Sequence, residues 1–94
     1  MFPTEKLDMV RIYLRAKCPD CAIEDHYDSE RISQTFQLKD KDRIPLVIVS
    51  KSFFDKHSTA EILLRLIDDH LDRHLKSNTK GCIIITDEGI EEDS

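Results

Sequence analysis

The sequence predicts a small α/β domain with a mixed β-sheet, and three patterns support this fold class. Residues 10–15 alternate apolar and polar side chains with the period of two that is typical of a half-buried strand. Residues 44–49 contain four consecutive branched or aliphatic side chains, as in a central strand covered by helices. After Ser58, apolar side chains recur every four residues, which is the spacing of an amphipathic helix.

The segments between these patterns supply the other predicted elements. A helix is predicted to begin at Pro19, because proline cannot continue a strand ladder but suits a first helical turn. Ser58 and Glu61 form the S-x-x-E capping box of the later helix, which ends near Lys76. Short strands are predicted at residues 34–38, 52–55 and 82–86.

Length and charge indicate one domain followed by an acidic end. A chain of 94 residues can build one hydrophobic core, and we assign residues 1–86 to a single domain. Residues 87–94 hold five acidic residues and no base, and we expect them to form a disordered tail. Without these five, the acids equal the fourteen bases, so no basic stripe is available to neutralise phosphates. We therefore expect no nucleic-acid partner.

The apolar runs of the chain argue against a membrane protein. The longest, residues 46–49 and 82–85, are far too short to cross a bilayer. The first residues lack the basic end and apolar stretch of a signal peptide. We therefore expect no membrane association and a cytoplasmic location.

Cys18 and Cys21 are separated by Pro19 and Asp20, and this C-x-x-C pair is the main candidate for chemistry. In the predicted order of strand, dithiol and helix, the helix N-terminus would stabilise a thiolate, which is the attacking species in disulfide exchange. Cys18 is then the nucleophile and Cys21 the resolving thiol. Two bases precede the pair and add positive potential: Arg15 and Lys17.

Two segments resemble the glutaredoxins. Residues 12–21 (IYLRAKCPDC) are similar to the strand and dithiol with which that family opens. Ile44 and Pro45, followed by residues 46–49, resemble its cis-proline segment. The resemblance implies a thioredoxin-like three-layer fold with a small mixed sheet. Only twenty-two residues lie between Cys21 and Ile44, so one connecting helix would be reduced or missing, and the strand at 82–86 would be an addition at the C-terminus.

The same resemblance implies a function and a substrate site. The chain would be a thiol–disulfide oxidoreductase acting on a disulfide-containing protein or small molecule. Arg15 would help to hold a glutathione carboxylate, with Lys17 beside it, and Ile44 would offer backbone hydrogen bonds next to Pro45. No bound cofactor or metal is required, and glutathione or a thioredoxin-type reductase would supply the electrons.

Two other functions stay open on sequence grounds. The chain could be a non-enzymatic interaction or regulatory protein on a degenerate thioredoxin-like scaffold, with a partner bound through an edge strand. It could instead be a small zinc module, since cysteine and histidine are the usual ligands of a structural zinc ion. The zinc ligands would be four side chains: Cys18, Cys21, His26 and Cys82.

Overall fold

The computed structural model describes residues 2–40, 45–77 and 81–93, with the side chains of Ser77 and Asp93 excepted. These residues form a mixed α/β domain with four helices and a five-stranded sheet. In chain order the elements are α1 (Thr4–Lys17), β1 (Ala22–Asp28), β2 (Ser33–Lys39), β3 (Leu46–Ser50), α2 (Lys51–Lys56), α3 (Thr59–Asp68), α4 (Leu71–Ser77), β4 (Cys82–Thr86) and β5 (Gly89–Asp93).

The strands lie in the sheet in the same order as in the chain, from β1 to β5. The first three form an antiparallel meander, and β4 and β5 form an antiparallel hairpin. Strands β3 and β4 are parallel, and the three helices α2, α3 and α4 form the crossover connection between them. The strand register aligns Phe36, Val47 and Ile83 across the three central strands, so these side chains point to the same face.

A single core lies between that face and the helices. All four described helices contribute buried side chains to it, including Leu14 of α1, Phe53 of α2, Leu66 of α3 and Leu71 of α4. The described part of the chain therefore forms two layers, helices on one side of a sheet, where the resemblance had implied three. The described helices also include none long and apolar enough to span a membrane.

The strand predicted at residues 10–15 is wrong, because this segment lies within α1. The buried side chains of α1 are spaced three or four residues apart and form one helical stripe, with Leu7, Val10 and Leu14 inside the core. Ile12, which would share the inner face with Val10 in a strand, is 49% exposed. An alternation over only six residues is compatible with the period of a strand and with that of a helix. Packing against the rest of the chain selects the helix.

The helix predicted to begin at Pro19 is also wrong, since β1 starts at Ala22. Ile23, Asp25 and Tyr27 are less exposed than the residues between them, so this segment has a strand period of two, and Ile23 and Tyr27 pack against the core. The short strand predicted at 52–55 is the helix α2, which Ser50 caps by accepting a hydrogen bond from the Phe53 N–H. A helical turn allows Phe53 and Phe54, which are neighbours in sequence, both to be buried.

Other elements match the prediction. Residues 34–38 lie in β2, residues 46–49 in β3 and residues 82–86 form β4. The capping box is confirmed, because Ser58 accepts from the Glu61 N–H and Glu61 accepts from the Ser58 N–H. The helix that follows is divided into α3 and α4 by His70, whose φ of 56° is left-handed.

The acidic end differs from the expected disordered tail. Residues 89–93 form β5 and pair with β4 over its whole length. Ile90 packs against the core from this strand, which explains why the segment is ordered. Gly89 has a φ of 131°, a backbone conformation that glycine adopts readily and other residues rarely do. It lets the chain reverse direction after the two-residue turn at 87–88. The sheet therefore extends beyond the boundary predicted at residue 86.

Candidate functional site

Cys18 and Cys21 lie at the two ends of a tight turn between α1 and β1. Cys18 is the C-cap of α1, and its N–H donates to the Leu14 carbonyl at 2.8 Å. The Cys21 N–H donates to the Cys18 carbonyl at 3.1 Å, the hydrogen bond of a four-residue β-turn. Pro19 and Asp20 occupy the two central positions, where proline is favoured first. Such a turn holds its end Cα atoms within about 7 Å, close to the separation that a disulfide spans.

This arrangement corrects the predicted order of strand, dithiol and helix. The dithiol follows a helix and precedes a strand, so Cys18 lies at the negative end of a helix dipole instead of the positive end. The helix therefore gives no support to a thiolate at Cys18. All three cysteines of the chain are thiols, and Cys18 and Cys21 are both half-buried.

The two thiols line a cavity of about 450 Å³. The turn supplies part of its lining, and α4 supplies another part with Leu75. Charged side chains from three parts of the chain also line it: Lys17, Asp20, Asp40, Asp72 and Lys76. The cavity can therefore admit a substrate to the sulfur atoms and present both signs of charge to it.

Tyr13 fixes these two parts of the cavity lining relative to one another. Its hydroxyl oxygen accepts a hydrogen bond from the Asp72 N–H at 3.1 Å, which joins α1 to the first turn of α4. Burial raises the pKa of Tyr13 above its ordinary value, so the phenol stays neutral. The Lys17 ammonium lies 5.7 Å from the centre of the same ring. Tyr13 thus places a cation and α4 beside the dithiol.

The structure places the other predicted substrate residues differently. Lys17 lines the cavity, whereas Arg15 and Pro45 are not among its lining residues. The Pro45 carbonyl accepts a hydrogen bond from the Leu38 N–H at 3.2 Å, at the start of β3. Ile44 lies outside the described residues, and so does its peptide bond to Pro45. The predicted cis-proline segment therefore stays a prediction.

The proposed zinc ligands do not come together. No group of three histidine, cysteine or acidic side chains within the described segments is arranged to hold a metal ion. Cys82 starts β4, three strand spacings or about 14 Å from β1, which carries His26. Sheet topology thus separates ligands that the sequence allowed to converge.

Sequence reasoning missed a polar cluster at the middle of α1. Arg11 contacts both carboxylate oxygens of Asp25 on β1, and it contacts Asp8 one helical turn earlier. The Gln34 side chain donates to Asp25 from β2 at 2.6 Å. The i,i+3 spacing of Asp8 and Arg11 was the available signal, but it carries meaning only once the segment is known to be helical.

Known proteins give no independent guide to the dithiol cavity. Comparison with protein-family models, with curated proteins and with solved structures finds no match for this chain.

Proposed function

We propose that the chain carries out thiol–disulfide exchange through Cys18 and Cys21. The observation that supports this most directly is the β-turn, which holds the two cysteines at a spacing suited to a disulfide. The cavity at the same turn gives a substrate access to both sulfur atoms. The sequence assigned Cys18 as the attacking thiol from a helix N-terminus that the structure does not place there; we keep the assignment because Lys17, which directly precedes Cys18, lines the same cavity. The proposal needs no thioredoxin-like topology, which the observed element order does not confirm.

The exchange proceeds in two steps that balance in electrons and protons. The Cys18 thiolate attacks one sulfur of a substrate disulfide, and a mixed disulfide forms while the other substrate sulfur leaves as a thiolate and takes up a proton. The Cys21 thiolate then attacks the Cys18 sulfur and releases the second substrate thiol. The substrate gains two electrons, and the protein keeps a Cys18–Cys21 disulfide. Glutathione or a thioredoxin-type reductase would reduce this disulfide again.

The cavity charges suggest how the first step is assisted. Because the α1 dipole opposes a thiolate at Cys18, the positive charge must come from side chains. Lys17 and Lys76 line the cavity, and each lies in the last turn of a helix: Lys17 in α1, just before the dithiol turn, and Lys76 in α4. A nearby ammonium stabilises a thiolate. Replacement of both lysines by methionine should therefore slow the exchange while the fold is kept.

Mass spectrometry of single cysteine variants tests the proposal. The reduced protein is mixed with a neutral aromatic disulfide whose thiol product absorbs light, so rate and adduct mass are both recorded. Wild type should end as an intramolecular Cys18–Cys21 disulfide without adduct. Cys21→Ser should accumulate a mixed disulfide at Cys18, because no thiol is present to resolve it, and Cys18→Ser should lose the rapid reaction.

Cys82→Ser is the matched control, since this cysteine is also half-buried but lies on β4 and not in the cavity. It should react like wild type. The proposal is wrong if Cys18 and Cys21 react no faster than Cys82, or if oxidation never joins them. A trapped adduct on Cys21 in the Cys18→Ser variant, with none on Cys18 in the reverse variant, would exchange the two roles.

The edges of the sheet favour a second function, which is non-enzymatic partner binding. Within the described residues, β1 and β5 each pair with one neighbouring strand only. A free strand edge presents backbone N–H and C=O groups to an extended segment of another chain. If Cys18 and Cys21 react slowly, and no faster than Cys82, partner binding becomes the better-supported function.

A further inference from the structure

The sheet face opposite the helices carries an apolar strip along its two parallel strands. Strand register places Leu46 and Ile48 of β3 beside Cys82 and Ile84 of β4. All four side chains point away from the face that holds Val47 and Ile83, because side chains alternate along a strand. We call these four residues the apolar strip.

No described helix covers the apolar strip. The buried side chains of all four helices belong to the core on the other face. Ile48 is only 8% exposed, yet it is not part of that core, and Leu46, Cys82 and Ile84 are half-buried. Central strands that are apolar on both faces usually have a packing layer on each side. The described part of the chain supplies one of these two layers.

The dimensions of the apolar strip fit one helix. Two neighbouring strands present a band about 10 Å wide, and the residues of the strip extend about 7 Å along each strand. A helix with its side chains is about 10 Å in diameter, and residues i to i+7 of a helix extend about 10 Å. About two turns of a single helix laid along β3 and β4 would therefore cover the strip.

The two borders of the strip differ in charge. On the β5 side, Glu91 is the register neighbour of Ile84 and is exposed, and the adjoining turn adds Asp87 and Glu88, also exposed. On the β2 side, the neighbours are the uncharged side chains of Thr35 and Gln37. Lys39, two residues beyond Gln37 on β2, is exposed on the same face and pairs with Glu24. A covering helix would therefore meet negative charge that is unpaired within the described residues at the β5 border, beside Ile84, and uncharged side chains at the β2 border.

We propose that the apolar strip binds an amphipathic helix of a partner protein, with an apolar stripe facing β3 and β4 and lysine or arginine along the flank next to β5. The inference concerns the face opposite the helices and does not depend on the chemistry of Cys18 and Cys21.

Binding of designed peptides to the full chain tests this inference. The probe is an 18-residue helical peptide with leucine at positions i, i+3, i+4 and i+7 and lysine on its flanks. The comparison peptide has glutamate in place of every lysine. Calorimetry should detect the lysine peptide and not the glutamate peptide, and a rise in salt should weaken binding. The bound peptide should also slow alkylation of Cys82, which lies within the strip.

Matched variants locate the site. Ile84→Arg places a cation in the strip and should lower the affinity for the lysine peptide by about tenfold or more. This is the effect expected from losing one buried aliphatic side chain. Leu64→Arg is the control, because Leu64 is 58% exposed on α3, on the helical side of the molecule. It should change the affinity less than twofold. Glu91→Lys, which leaves the strip intact, should weaken binding and reduce its salt dependence.

Several outcomes would overturn the inference. Binding that Ile84→Arg and Glu91→Lys leave unchanged would place the peptide elsewhere, and equal binding of both peptides would remove the charge argument. No binding of the lysine peptide by a folded protein also overturns it. Self-association of the free chain that Ile84→Arg abolishes would assign the strip to a second copy instead.

Discussion

Arg11 binds Asp25 through two parallel hydrogen bonds, Nε to Oδ1 at 3.0 Å and Nη2 to Oδ2 at 2.7 Å. Both side chains are largely shielded from solvent. The pair joins the middle of α1 to β1, which is an edge strand of the sheet. Geometry of this kind, bidentate and partly desolvated, is where an ion pair contributes measurably to stability.

Asp25→Asn should therefore destabilise the fold by about 2 kcal/mol, since it removes a charged partner and leaves the Arg11 guanidinium partly buried. Urea denaturation of both proteins measures the loss. Asp8→Asn is the control, because Asp8 also contacts Arg11 but is half exposed, and its effect should stay below about 0.5 kcal/mol. Equal effects of the two variants would contradict the role assigned to Asp25.

The same pair predicts an acid limit to stability. Hydrogen bonding to Arg11 lowers the pKa of Asp25 below its ordinary value. The contribution of the pair is then fully present above the pKa of the unfolded carboxyl, about 3.9, and is lost as the pH falls through the lower folded value. Denaturation between pH 2 and 6 should show this loss in wild type and a flatter profile in Asp25→Asn. Identical profiles would count against the pair.

Ile32 is strained, and its replacement should stabilise the protein. It has a φ of 50°, which costs a β-branched side chain about 1–2 kcal/mol, and it is 46% exposed, so little packing is lost on substitution. Ile32→Asn should raise the free energy of unfolding by about 1 kcal/mol, because asparagine tolerates this conformation. The control Ile12→Asn, in a regular helical position, should be slightly destabilising instead. Thermal denaturation distinguishes the two signs.

The capping box of α3 should be worth about 1 kcal/mol. Ser58→Ala removes the acceptor of the Glu61 N–H at the first turn of α3. Ser29→Ala, in the exposed turn between β1 and β2, makes the same chemical change away from any helix end. Chemical denaturation should show a clear loss for the first variant and almost none for the second.

Local sequence patterns correctly predicted the elements whose structure depends on residues that are close together in the chain. The Ser58–Glu61 box and the apolar run of β3 needed no distant partner to be recognised. Residues 10–15 were different, because their alternation allowed a strand, and only contact with α3 and the sheet selects the helix that exposes Ile12. Because residues 10–15 were predicted to be a strand, Cys18 was expected to follow a strand, whereas it follows a helix.

The candidate site was predictable in part for the same reason. Cys18 and Cys21 are close in sequence, so their proximity could be anticipated, whereas the β-turn between them replaces a predicted helix. Asp72 and Lys76 reach the cavity from α4, and Asp40 follows β2, so their positions depend on the fold of the whole chain. Neither spacing nor composition contains that information.

The crossover between the parallel strands β3 and β4 constrains the order in which the chain can fold. The meander of β1 to β3 and α1 consists of nearby segments, but β4 has to wait for three helices to be made before it can pair beside β3. Until then Val47 and Val49 border an unfilled position in the middle of the sheet. During synthesis on a ribosome, the nascent domain therefore stays open along its central seam, exposed to aggregation, until residue 86 has left the exit tunnel.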